Sequence, residues 1–205
     1  MFTEQQDKVL KRVEDLLLRL GIKSINMDDV ARELGMSKKT LYTFVNSKDD
    51  LVTKVIERHI GQEMTDCKKQ FSQAKNAIDQ LFLVIESNAQ QMSQMKANVV
   101  HDLQKYHRDA WDKMSEYQQG FLYQIVQDNL KRGVSEGLYR DDFDIDIVTR
   151  LHIACSFQLF DETFFPQSSF KREVVFIEYL MHYLHGILSD KGRRYLRKRV
   201  GKLSL

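Results

Sequence analysis

Proline and glycine are scarce in this 205-residue chain: one proline and nine glycines leave few enforced stops or turns, so long helices are the default expectation. Cysteine is scarcer still. Cys67 and Cys155 lie far apart in helical contexts, which excludes a disulfide framework and leaves reduced thiols or a redox sensor as readings. No apolar run approaches the roughly 18 residues a membrane span requires, so no membrane partner is expected. The chain starts with a polar, capped segment and lacks a charged stretch followed by an apolar one, which points away from export and toward the cytoplasm. Gly-rich phosphate loops, nucleophile elbows, Cys-x-x-Cys pairs and Glu-x-x-His pairs are all missing, so neither an enzyme nor a bound cofactor is expected.

Charge of one sign is also lacking overall: the formal net charge is +2. Its distribution carries more information than its sum. Residues 1–60 hold eleven Lys/Arg and ten Asp/Glu, residues 61–189 thirteen and eighteen, and residues 190–205 seven and one. No acid falls between Leu34 and Lys48, so one short segment of a nearly neutral region is locally positive. A segment of that kind can meet phosphates through a handful of contacts and still give a salt-dependent affinity.

That segment has a readable local structure. Val30, Ala31 and Leu34 form one apolar stripe, and Leu41, Phe44 and Val45 form another. They face each other only if the chain bends at Gly35, where glycine can take positive φ and end a helix. Ser37 is placed to cap the next helix. That helix then turns Lys38, Lys39, Thr40, Tyr42 and Thr43 toward solvent. A short helix that is apolar inside and offers amines, hydroxyls and a phenol outside suits a DNA major groove. Ser47 and Asp50 mark a further helix start, where Lys48 adds charge beside free amides, a combination suited to a phosphate oxygen. Upstream, Thr3-x-x-Gln6 reads as a capping box opening a helix with Val9, Leu10, Val13, Leu16, Leu17 and Leu20 on one side, ended by Gly21. The predicted DNA-binding residues are Ser37, Lys38, Lys39, Thr40, Tyr42, Thr43 and Lys48.

The pattern Gly21-Ile22…Met27-x-x-Val30-Ala31-x-x-Leu34-Gly35-Met36-Ser37-x-x-Thr40-Leu41-Tyr42-x-Phe44, read on to Ser47-Lys48-x-x-Leu51, resembles the TetR family of transcription regulators. Glu136-Gly137-Leu138-Tyr139-Arg140-Asp141-Asp142 is similar to the family's turn before its dimer helices. Position 27 departs from the pattern, since many members carry Thr or Ser there; Asn26 can supply the cap instead. The resemblance implies an all-α fold. A three-helix helix-turn-helix domain over residues 1–47 would precede a larger effector-binding and dimerisation domain over residues 48–205. It also implies double-stranded DNA, a second copy of the chain and a small-molecule effector as partners. An inducer cavity would draw on Met92, Met95, Tyr106, Trp111, Met114, Tyr117 and Phe121, residues that ordinary core packing would explain equally.

Beyond Leu51 the chain reads as helix after helix. Its last two long helices, one through Ile147, Leu151, Ala154, Phe157 and Phe160, the other through Ile177, Leu180 and Leu184, have broader apolar faces than one neighbour needs. Leu151, Ala154, Phe157, Ile177, Leu180 and Leu184 are therefore expected at a homodimer interface, with intrachain core as the alternative. His182-x-x-His185 places two imidazoles one turn apart but lacks further ligands, so no metal is expected. The basic end, residues 191–202, reads as a final amphipathic helix packed on the body or as an auxiliary contact to an anionic surface. The function expected is a palindrome-binding, ligand-responsive repressor. Alternatives are a ligand-independent or activating DNA-binding factor and, more distantly, a helical protein–protein adaptor.

Overall fold

The computed structural model describes residues 2–94 and 99–200, with side chains described outside 88–94 and 200. Helices account for about three quarters of it. α1 (Glu4–Leu20) opens on the expected capping box, with Thr3 and Gln6 reciprocating, and ends at Gly21. α2 (Met27–Leu34) is capped by Asn26, whose side chain accepts from the Asp28 and Asp29 amides while Asp29 returns a bond to the Asn26 amide. This is a complete capping box without Thr or Ser at position 27, where Met27 is buried instead. Gly35 takes φ 68°, the left-handed conformation that ends α2 and turns the chain into α3 (Lys38–Leu41). α4 (Lys48–Gln73) starts at Ser47, which accepts from the Asp50 amide.

The body follows as α5 (Ala77–Gln94), α6 (Val99–Tyr106), α7 (Arg108–Tyr117), a π-helical turn (Gln118–Leu122), α8 (Tyr123–Ser135), α9 (Ile145–Gln158), α10 (Arg172–Ile187) and α11 (Asp190–Val200). The π-helical turn separates α7 from α8 without a break into a loop. α4 is the connecting rod: it packs on α1 at one end and on α7 and α5 further along.

Two main apolar cores follow from this layout. The first joins Leu10, Val13 and Leu17 of α1, Val30 and Leu34 of α2 and Leu41 of α3 with Leu51, Val52 and Val55 of α4, and it continues into Val99, Leu103 and Ala110 of α6 and α7. Packing therefore runs without a break across residue 48, and the body's α6 and α7 help to close the helix-turn-helix core. The second core gathers Ile78, Leu130, Leu184, Leu188 and Leu196. It is organised by a tight turn after α8, where Tyr139 lies over Gly133 so closely that a Cβ there would meet the ring at 2.0 Å. The Tyr139 hydroxyl donates to Asn129 Oδ1, and Asn129 Nδ2 donates to the Ala77 carbonyl and Gln80, tying α5, α8 and the turn together. The basic end forms α11. Its Leu196 enters the second core, while Tyr195 donates to Asp79 and Arg199 pairs with Asp79 and Glu86 of α5.

Candidate nucleic-acid interface and enclosed cavity

The outer face of α3 is built from its cap upward. Ser37 Oγ accepts from the Thr40 amide at 3.0 Å and lies 2.8 Å from Thr40 Oγ1, so both hydroxyls are fixed in place. Thr43 Oγ1 donates to the Thr40 carbonyl at 2.7 Å, closing the single helical turn. Lys38 leans back onto Asp28, 3.0 Å away, and this hydrogen-bonded carboxylate raises its pKa. Lys39 and Tyr42 point outward, Tyr42 at 42% exposure, and neither side chain makes a hydrogen bond or ion pair among the described residues. Leu41, the one residue of the turn facing inward, is fully buried. Lys48 is half-buried and donates to the Ile25 carbonyl; desolvation lowers its pKa against the opposing charges of Asp102 and Asp49. It therefore pins the start of α4 to the loop before α2, with donors left over for a further acceptor.

Several polar contacts fix this module and the start of α4 to the rest of the chain. Glu14 of α1, 7% exposed, accepts from Arg58 Nη1 at 2.8 Å, and its other oxygen lies 2.7 Å from His59 Nδ1. Burial alone would raise Glu14, but the His59 hydrogen bond and the His59, Lys11 and Arg58 charges hold it below the usual carboxylate value. Burial likewise works against a charged His59; its hydrogen bond to Glu14 and the charges of Glu14 and Glu63 outweigh burial and raise its pKa. Buried Asp102 of α6 accepts from the Lys23 amide, and buried His107 before α7 lies 2.7 Å from Asp49 at the start of α4.

One turn beyond His59, α4 enters a partly open cavity of about 210 Å³ lined by α4, α5, α7 to α10 and the π turn. Glu63, Asp66, Cys67, Tyr117, His152 and Tyr183 are among its walls. Burial raises Glu63, with the His59 charge opposing. Burial, helped by the Glu63 charge, pushes Cys67 up to about 11, which keeps it a thiol. His152 is pushed down to about 4 by burial and stacks between Tyr179 and Tyr183, centroids 5.4 and 4.0 Å away.

The expected cavity residues are distributed more widely than the cavity. Tyr117 lines it. Phe121 stacks on Tyr117 at 5.7 Å, facing a shallower surface depression. Trp111 packs on the first core, and Met114 is half-buried outside the cavity lining. Tyr106 is exposed, with the Lys23 and Lys105 ammonium groups 5.2 and 5.4 Å from its ring centroid. Met95 and the side chain of Met92 lie outside the described residues. Sequence reasoning missed the walls contributed by α4. The spacing His59-x-x-x-Glu63-x-x-x-Cys67, which sets one side-chain row along one face, was the available signal.

Among the expected interface residues, Leu151 and Ala154 are exposed and Phe157 and Ile177 half-buried. Leu180 and Leu184 are covered by the chain's own core. Ile147 and Leu151, 56% and 58% exposed, extend the outer apolar surface of α9, and Val174 that of α10. His185 Nδ1 lies 2.8 Å from the Met181 carbonyl of its own helix, and His182 is exposed.

A capped helix-turn-helix joined by one long helix to an all-helical body that holds a cavity is the architecture of the TetR-family transcriptional regulators, and the chain has that fold. No family model matches the sequence. A helix-turn-helix transcriptional regulator of Bacillus subtilis, YvaF, is 36% identical over 106 residues, covering 51% of this chain. That match spans about half, 55%, of the relative's length. The helix-turn-helix transcriptional repressor KstR2 of Mycolicibacterium smegmatis is 21% identical over 93% of this chain and 94% of its own. A TetR-family regulator from Agrobacterium tumefaciens superposes with a TM-score of 0.75 at 14% identity, covering 90% of this chain and 98% of the other. A putative regulator from Saccharomonospora viridis, solved with choline, gives 0.74 at 17% identity over 91% and 98%. FadR from Bacillus subtilis, solved with stearoyl-CoA, gives 0.66 at 18% identity over 90% and 100%. These relatives are transcriptional regulators, not enzymes. No helix among the described residues is long and apolar enough to cross a membrane.

Proposed function

We propose that this chain is a sequence-specific DNA-binding regulator, a repressor that reads a palindromic operator as a homodimer and is released by a small molecule. It has no catalytic role in this reading and works in the cytoplasm, where its DNA is. The observation that carries the reading is the outer face of α3: Lys39 and Tyr42 make no side-chain hydrogen bond or ion pair among the described residues and stand beside the fixed hydroxyls of Ser37, Thr40 and Thr43. Lys38 and Lys48 already hold intrachain acceptors, which suits phosphate anchoring better than base reading. One such turn is too short to specify a site alone. Two copies joined through the exposed apolar faces of α9 and α10 would set two half-sites one helical turn, roughly 34–36 Å, apart.

The release mechanism follows from α4. This helix lines the cavity with Glu63, Asp66 and Cys67, and one turn earlier it grips α1 through Arg58 and His59. A ligand that favours a different α4 position moves both modules at once. It acts only through differential affinity: a hundredfold shift takes about 2.7 kcal/mol. Choline and stearoyl-CoA in two structural neighbours differ in charge and size, so the fold leaves the effector class open.

Mobility-shift assays with fragments of the host genome, read beside sedimentation of the free protein, test the reading. A salt-sensitive shift by a dimer is expected. A monomer that retards no fragment at low salt would make the chain a helical adaptor instead.

A further inference from the structure

The charge of the cavity's walls says more about its occupant than its shape does. Two carboxylates, Glu63 and Asp66, line it, and no Lys or Arg does among the described residues. Asp66 is exposed and accepts from Gln62, whereas Glu63 is half-buried, has no side-chain hydrogen bond or ion pair among the described residues, and is raised by desolvation. Desolvation of the Glu63 carboxylate outweighs the opposing His59 charge, and a cation entering the cavity would offset that cost.

The remaining polar groups agree. Tyr179 has a single hydroxyl proton, and its oxygen lies 2.6 Å from the His152 carbonyl and 2.8 Å from His152 Nδ1. Two oxygens at 2.6 Å need a proton between them, so Tyr179 donates to the carbonyl and His152 Nδ1–H donates to Tyr179. His152, kept neutral by burial, is then left with Nε2 as an acceptor. The Tyr183 hydroxyl is buried in the same wall without any partner, a polar group left for a ligand to satisfy. Tyr117, Tyr179 and Tyr183 add aromatic rings, which attract cations held over their faces. An anion would meet two carboxylates, a neutral His152 and no Lys or Arg among the described residues.

We propose that the cavity binds an organic cation, an amine or quaternary ammonium with a compact apolar body, whose charge is held by Glu63 and Asp66 among the tyrosine rings. The cavity of about 210 Å³ has room for a small molecule. This deepens the effector-release reading and rests on it for its regulatory meaning, but the charge preference is a property of the cavity alone.

The test titrates the full chain with benzyltrimethylammonium, benzyl alcohol and phenylacetate by calorimetry, for the wild type and for Glu63→Gln and Asp66→Asn. The ammonium compound is expected to bind roughly tenfold or more tightly than the alcohol, with phenylacetate weakest. Glu63→Gln should remove most of that preference and Asp66→Asn part of it, with benzyl alcohol unchanged in both. Equal or tighter binding of phenylacetate, no binding of the ammonium compound, or an undiminished preference in both variants would overturn the proposal. Mobility shifts run on the same samples separate the two claims. Protein that binds DNA but lacks the preference sinks only the cation, and protein that shows the preference but binds no DNA sinks only the regulator.

Discussion

Glu14→Gln is the perturbation that best isolates how the helix-turn-helix is fixed to the body. Glu14 and Arg58 are each 9% exposed at the side chain and 2.8 Å apart, and the second Glu14 oxygen holds His59. Removing the charge of one partner in a buried pair strands the other, a loss of about 3–5 kcal/mol. Two features place this case at the low end: Arg58 keeps Asp7 at 2.9 Å, and His59 can lose its proton. A loss of about 3 kcal/mol should lower the melting temperature of a chain this size by about 7 °C. Differential scanning calorimetry of Glu14→Gln, His59→Gln and the double variant reads the effect. His59→Gln should add little in the Glu14→Gln background, because its partner is already gone. A shift of Glu14→Gln below about 2 °C, or full additivity of the two changes, would show that the triad does not hold α1 to α4.

The same triad sets a pH dependence. Because the folded state raises His59 above its ordinary value of 6.5, its contribution is complete below that value and is lost as pH rises through the raised folded one. Urea melts should therefore show stability declining across neutral to mildly alkaline pH in the wild type, and His59→Gln should flatten that slope. Ser37→Ala removes the acceptor of the Thr40 amide and should cost about 1 kcal/mol along with DNA affinity; unchanged affinity would show that the α3 cap is dispensable. Gly133→Ala drives a methyl group into the Tyr139 ring and should cost about 1–3 kcal/mol by thermal melting, while a neutral result would place the ring elsewhere. Lys48→Ala should reduce the slope of log affinity against log salt by about one contact's worth, and an unchanged slope would remove Lys48 from the phosphate path.

The first four helices were legible because their signals are local. Each of the first four helices starts on a residue whose side chain caps it, Thr3, Asn26, Ser37 and Ser47, and the bend at Gly35 needs a backbone conformation glycine adopts freely. The body was harder to read because its decisive features depend on tertiary neighbours. Nothing local distinguishes the π turn at Gln118–Leu122 from a continuing helix. Apolar periodicity finds Leu180 and Leu184 but does not say whether the same chain or a second copy covers them; here α5 and α8 supply the cover. Favouring Met and aromatic residues for the cavity overlooked Glu63 and His152, polar groups that become informative only once burial has stripped them of water. The buried pair Glu14–Arg58, 44 residues apart in sequence, has no local trace at all.

Selection of duplexes from a random pool by the full chain tests the central claim most directly. The enriched sequences are expected to form an inverted repeat with half-site centres about 10 base pairs apart or a multiple of that, bound by two chains per site. Enrichment of a lone half-site, or of no sequence, would contradict it.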